Sequence, residues 1–193
     1  MLKKALLPAS LALALAGCVS LTPTPPESLL TLTPARTAPA GATVAGTAAS
    51  ALAVIEPAVD QRLNVVRVPV QTSDASLAYL QDAVWVEKPA RLFRQVLAET
   101  IKAGGNRLVV GEGDLNYTAA TKLSGRLLDM GYDVASGSVV VRFDAVLQGA
   151  DGQIRTKRFE SRVPGVAPDA TSVGPALNQA ANQVAAEVAA WVG

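Results

Sequence analysis

The sequence predicts an α+β domain, built from an antiparallel β-sheet with two helices packed on one of its faces. Three observations support this fold class. Helical spacing of apolar residues occurs in only two segments of the chain, 89–103 and 172–192. Alternating apolar and polar residues recur in shorter segments bounded by glycine and proline. Three such segments follow one another directly between the two helices, and consecutive strands of this kind pair antiparallel and bury one face under helices.

The chain begins with a pattern typical of a bacterial lipoprotein signal peptide. Two lysines at positions 3 and 4 precede an apolar run over 5–16, which is too short to span a bilayer. The small residue Gly17 is followed directly by Cys18, the single cysteine of the chain. We therefore expect cleavage between Gly17 and Cys18 and lipid attachment at the Cys18 thiol. The alternative is a free cysteine at the end of a buried apolar helix.

The segment after Cys18 is a tether by composition. Residues 19–50 are rich in Thr, Pro, Ala and Gly, a composition that favours extended and solvated backbone. Within it, 28–33 is a short apolar run that could add an edge strand to the domain. These features divide the chain into a signal peptide (1–17), a lipid-anchored tether (18–50) and a folded domain (51–193).

In the first half of the domain, strands are predicted over 51–55, 63–68 and 107–110. We expect the second of them to end at Pro69, and 74–86 to form an irregular connection with a short strand. A helix is predicted from Pro89, which suits a first helical turn, to the Gly104-Gly105 pair. The apolar face of that helix carries Leu92, Phe93, Val96, Leu97 and Ile101.

In the second half, strands are predicted over 122–134, 139–148 and 153–163, with a hairpin turn at 149–152. A closing helix follows, with Ser172 as its N-cap and Pro175 in its first turn. Its apolar stripe should pack on the sheet as core. The stripe consists of Val173, Leu177, Ala180, Val184, Val188 and Trp191.

Composition excludes several classes of function. The full chain has 17 basic and 16 acidic residues, and the signal peptide removes two of the basic ones, so no basic surplus is left for nucleic acid. Histidine is absent, which removes the usual general base of hydrolases and the commonest transition-metal ligand. We therefore expect no catalytic residues, no metal site and no cofactor.

Several strings, in this order, resemble the ABC-type transport auxiliary lipoprotein family, the PqiC-like lipoproteins of mammalian-cell-entry (MCE) lipid transport systems. The resemblance covers nearly the whole mature chain. The matching pieces are the lipobox at Cys18, Leu29-Leu30-Thr31-Leu32, Tyr79 and Trp85 followed by 86–93, Leu123-Ser124-Gly125, 143–147, Ala176-Leu177-Asn178 and Trp191-Val192.

The resemblance implies a non-enzymatic lipoprotein that works with an MCE-domain periplasmic protein and an inner-membrane ABC permease and ATPase. Phospholipid or another hydrophobic cargo would then move between the inner and outer membranes. Val19, directly after the lipidated cysteine, favours outer-membrane sorting, with the domain facing the periplasm. Phospholipid itself and other copies of the chain are further expected partners. The alternatives are a structural or assembly lipoprotein of the envelope unrelated to lipid transport, and a periplasmic hydrolase.

Two sets of residues are candidates for contacts with a partner or lipid. Tyr79 and Trp85 lie in a predicted loop, where aromatic residues often form interfaces. The alternative for Trp85, which we favour, is that it packs beneath the first helix. The basic cluster Arg155, Lys157, Arg158 and Arg162 could meet an acidic partner or lipid headgroups, although such clusters more often form a solvated strand face.

Overall fold

A computed structural model describes residues 28–110 and 119–193, and these residues adopt an α+β fold as the sequence predicts. Within them, one mixed eight-stranded sheet is joined by two helices and a short 3-10 helix at Gln61–Leu63. The strands are β1 Leu52–Val54, β2 Ala58–Val59, β3 Arg67–Ser73, β4 Ser76–Val84, β5 Val109–Val110, β6 Thr121–Asp133, β7 Ser138–Gln148 and β8 Ile154–Pro164. The helices are α1 Pro89–Ala103 and α2 Ala170–Val192.

Strand β6 organises the sheet. One side of it pairs antiparallel with β7, which pairs antiparallel with β8. The other side pairs in succession with the short strands β1, β2 and β3, and all three run parallel to β6. The expected antiparallel sheet is therefore corrected to a mixed one. The reason is that the chain crosses over through α1 between these strands and β6, and a crossover of that length brings a strand back parallel.

Both helices lie on the same face of the sheet, as predicted. They contact each other, and α2 packs along β7 and β8 while α1 packs on β1 and β5. The rings of Phe93 on α1 and Phe143 on β7 meet edge to face with centroids 5.3 Å apart. Aromatic pairs favour this geometry because the positive edge of one ring meets the negative face of the other.

The predicted N-cap of α2 is wrong by three residues. Asp169, not Ser172, is the N-cap, and its carboxylate accepts a hydrogen bond from the Ser172 backbone N–H at 2.8 Å. An ionised acceptor suits the positive end of the helix dipole. Pro175 consequently lies inside the helix rather than in its first turn.

The β3–β4 hairpin was not predicted. β3 begins at Arg67 and continues through Pro69, and β4 extends over most of the predicted irregular connection. The proline is tolerated because the β3–β4 ladder shifts register between Arg67 and Pro69, and β6 pairs with β3 only at Val70 and Gln71. A residue without an N–H fits where no ladder hydrogen bond is required of it.

Candidate functional site

The sheet face opposite the helices, which we call the open face, carries rows of charged side chains across β6, β7 and β8. Leu127, Phe143 and Phe159 are paired in one cross-strand row and belong to the hydrophobic core. Successive residues of a strand point to opposite faces. The neighbouring row, Asp129 with Arg142 and Glu160, therefore lies on the open face.

That row is the centre of a chain of alternating charges. Arg142 donates to Asp129 at 2.5 Å and to Glu160 at 2.6 Å. Arg62, from the 3-10 helix, reaches the other oxygen of Asp129 at 2.5 Å. Arg162 donates to Glu160 at 2.7 Å. Each of these side chains is partly exposed, so the network fixes side-chain positions more than it stabilises the fold.

The electrostatics of the open face favour the ionised forms. The hydrogen bond from Arg142 lowers the pKa of Glu160 and raises the pKa of Arg142 itself. In a parallel row, Arg158 holds both carboxylate oxygens of Asp144, at 2.6 and 2.7 Å, and lowers the pKa of that carboxyl group. Both carboxylates therefore remain charged well below neutral pH.

A depression of about 440 Å³ opens beside this network. Its lining combines charged and polar side chains with apolar residues that include Pro69, Met130 and Val140. The polar lining residues are Arg62, Gln71, Asp74, Asp129, Tyr132, Asp133, Arg142 and Arg162. Charged side chains that are held in position beside apolar residues suit recognition of a polar surface. In residues 28–110 and 119–193, no group of three or more potential metal ligands is close enough to hold an ion.

Trp85 and Tyr79, the two predicted aromatic contact residues, differ in their burial. The side chain of Trp85 is 1% exposed and belongs to the hydrophobic core, so in this conformation it is not available for contact with a partner. Tyr79 is half-buried on β4. Its ring lies under the guanidinium of Arg67, 4.4 Å from the centroid, and its hydroxyl donates to the Arg62 carbonyl at 3.5 Å. Tyr79 therefore borders the open-face network.

The predicted basic cluster is divided between the two faces of β8. Arg158 and Arg162 point to the open face and form the ion pairs given above. Arg155 and Lys157 point to the helix side, where they lie over the rings of Trp191 and Phe159. Alternation along the strand separates them, so the four cations do not form one patch.

Trp191 was predicted to be core, and the structure places it at the rim. Its ring is half-buried and meets Phe159 edge to face, with centroids 5.7 Å apart. The guanidinium of Arg155 covers it at 5.3 Å from the ring centroid. Val192, one residue further on, is the buried end of the stripe at 2% exposure.

The edge strand predicted at 28–33 is reduced to a single bridge at Leu30, and the chain then continues across the helices. We call residues 28–38 the strap. The strap begins beside the end of β4 and then crosses first α2 and afterwards α1. Leu30 lies beside Trp85 in a parallel bridge, in which the Leu30 N–H donates to the Val84 carbonyl at 2.7 Å and the Val86 N–H donates to the Leu30 carbonyl at 2.9 Å. The Leu32 side chain is 6% exposed. Ala38 donates to Glu99 on α1 at 2.9 Å. Much of the predicted tether is thus bound to the domain.

Two asparagines one turn apart on α2 hold the strap. The Asn178 side chain accepts from the Thr33 N–H at 2.8 Å. The Asn182 side chain accepts from the Ala35 N–H at 2.7 Å and donates to the Thr33 carbonyl at 2.9 Å. Each amide group can both donate and accept, as a strand backbone does. The sequence signal was present, since two asparagines at i and i+4 share a helix face.

The expected lipid-attachment residue Cys18 and the cleavage position at Gly17 lie outside the described residues. Within the described part of the chain, neither helix is long and apolar enough to cross a membrane.

Comparison with known proteins gives a family and a fold. Residues 30–189 match the model of the family described as the ABC-type transport auxiliary lipoprotein component. No curated protein matches the chain. A solved protein from Xanthomonas campestris, described as a member of family DUF330, is 18% identical with a TM-score of 0.65, over 86% of this chain and 92% of that one.

Two further solved structures are similar. A protein described only as uncharacterized is 16% identical with a TM-score of 0.64, over 86% of this chain and all of that one. The PelC dodecamer from Paraburkholderia phytofirmans is 18% identical with a TM-score of 0.41, over 76% of this chain and 91% of that one. At these identities the first two structures show the fold alone.

Proposed function

Because the chain belongs to the family of ABC-type transport auxiliary lipoprotein components, we propose that it is a lipid-anchored accessory protein of an MCE-type system in the outer membrane. In this role it is not an enzyme. It supports the transfer of phospholipid or other hydrophobic cargo between the inner and outer membranes. The family match over residues 30–189 is the observation that carries the proposal.

The anchor is the thiol of Cys18, which follows the apolar run and Gly17 in the order that lipoprotein processing requires. One acyl chain holds a protein only marginally, whereas two or more give firm attachment. The mature lipoprotein therefore remains attached to the membrane in which its acyl chains are inserted. An inner-membrane ABC permease and ATPase supply energy, and an MCE-domain protein in the periplasm supplies the conduit.

We place the partner contact on the open face. The strap binds to α2 and α1 on the helix side of the sheet, which leaves the open face for a large protein. There the ion pairs of Arg142 and Arg162 hold their carboxylate partners in fixed positions around the depression. A preorganised polar surface loses little side-chain entropy when a partner binds.

Affinity purification of the acylated chain from membranes tests this function. Co-purification of an MCE-domain protein or an ABC permease is the expected result. Arg162→Glu should reduce recovery of that partner, and Arg155→Glu is the matched control because it changes the same charge on the helix side of the same strand. Recovery of envelope assembly proteins alone would favour the alternative, a structural lipoprotein unrelated to lipid transport.

The anchor is tested separately with Cys18→Ser. This variant should lose acylation and leave the membrane fraction as a soluble or unprocessed chain, because no other thiol exists in the sequence. Incorporation of labelled palmitate and fractionation are the measurements. Continued labelling and membrane association in the variant would contradict lipid attachment at Cys18.

A further inference from the structure

The docked strap determines how far the domain can stand from its membrane. The chain is bound to the fold from Leu30 onward, so only the stretch from Cys18 to Ser28 separates the lipid anchor from the bound part of the chain. Ten residues span at most roughly 35 Å when fully extended. If the chain were free as far as Ala51, the same limit would be roughly 110 Å. The strap therefore keeps the site where the tether enters the domain near the bilayer.

Three segments meet at that site, which we call the tether root. On one side, Leu30 bonds to the backbone of Val84 and Val86, the two neighbours of Trp85. On the other side, the Trp85 N–H donates to the Val66 carbonyl at 2.8 Å. Each segment carries an exposed apolar side chain here. Leu29 and Val86 are each 52% exposed, and Val66 is 40% exposed.

The tether root lies at one end of the helix layer. Leu30 touches α2 at Gly174, where an added Cβ would come within 2.7 Å of a Leu30 methyl carbon. Trp191, at the other end of α2, is roughly 25 Å away along the helix axis. Ile154 belongs to that distant end, since its neighbour Arg155 covers the Trp191 ring. Ile154 is also exposed, at 66%, and provides a matched apolar position far from the root.

We propose that Leu29 and Val86 rest on the bilayer that holds the Cys18 lipid, so that the domain lies on the membrane by its tether root. This inference depends on the lipid anchor of the proposed function. A short tether keeps the tether root close to the bilayer, which raises the effective concentration of lipid at the root. Apolar side chains that would otherwise face water then gain by entering the interfacial region. Lys88, exposed two residues after Val86, can extend its ammonium group toward lipid headgroups.

The experiment uses the full-length, acylated protein reconstituted into phosphatidylglycerol and phosphatidylethanolamine vesicles. With Cys18 blocked by lipid, an introduced cysteine is the sole free thiol. Val86→Cys and the control Ile154→Cys are each labelled with an environment-sensitive fluorophore. Lipids brominated near the headgroup should cause a loss of fluorescence at position 86 and none at position 154.

Co-sedimentation with the vesicles separates failure of the anchor from failure of the orientation. Protein that does not sediment overturns the lipid anchor and, with it, this proposal. Protein that sediments but shows no quenching at 86, or equal quenching at 86 and 154, overturns the orientation and leaves the anchor intact. Shielding of position 86 only after a partner protein is added also overturns the proposal, because the patch is then a protein interface.

Discussion

The strap is held to the domain by few interactions, and Asn182→Ala tests them directly. The Asn182 side chain makes two hydrogen bonds to the strap, one with the Ala35 N–H and one with the Thr33 carbonyl. It also donates to the Asn178 carbonyl within α2 at 2.8 Å. The substitution removes both strap contacts and leaves the apolar face of α2 unchanged. It should therefore open the strap more often without unfolding the domain.

The size of the effect follows from the number of bonds. A neutral hydrogen bond contributes about 0.5–1.5 kcal/mol net, so two contribute about 2 kcal/mol. Since about 1.4 kcal/mol corresponds to tenfold in an equilibrium constant, strap opening should become roughly 30-fold more frequent. Alanine is also a better helix former than asparagine. The melting temperature of the domain is consequently a poor readout, and a local measurement is required.

Native-state hydrogen exchange provides that measurement. The amides of Leu30, Thr33 and Ala35 should exchange roughly 30-fold faster in Asn182→Ala, while the amides of β7 exchange as in the parent chain. Gln179→Ala is the control, because Gln179 is an exposed neighbour on the same helix with no strap contact among the described residues. Equal exchange at Ala35 in the two variants would refute the assignment of Asn182 as a clamp.

Three further changes have expected outcomes. Trp85→Ala should cost about 3–5 kcal/mol of unfolding free energy, whereas Trp191→Ala, at the rim, should cost about 1–2 kcal/mol. Chemical denaturation measures both losses, and equal values would contradict the different burial of the two side chains. Glu160 has a lowered pKa, so its stabilising contribution is present above its unfolded-state pKa and is lost as pH falls through its folded-state pKa. Glu160→Gln should therefore flatten the pH dependence of the melting temperature below about pH 5, and an unchanged slope would argue against the Arg142 pair. Gly125→Ala should destabilise the domain by about 2–3 kcal/mol, because Gly125 has a φ of 153° and an added Cβ would lie 2.0 Å from the Asp144 carbonyl oxygen. An unchanged melting temperature would show that β6 adjusts at this point.

Sequence patterns predict best where contacts are local. The bounds of α1, the three long strands and the 149–152 hairpin were predicted from periodicity, proline and glycine, because these features act within a few residues. The turn has the expected geometry, with Gly152 at a φ of 81° and the Gly149 N–H bonded to the Gln153 carbonyl at 2.8 Å. The strand predicted over 63–68 overlaps β3 only at Arg67 and Val68. Its predicted end at Pro69 is wrong because the proline is tolerated through a register shift that involves the partner strand.

Sequence patterns alone predict the α+β class, the long strands, both helices and the order of motifs that resembles the family. The tertiary structure settled the parallel pairing of β1, β2 and β3 with β6, the burial of Trp85 and the division of the basic residues of β8 between two faces. It also showed that residues 28–38 are bound over the helices rather than free. The physical reason is distance along the chain: Asn182 holds Thr33 across 149 residues, and no local pattern records such a contact.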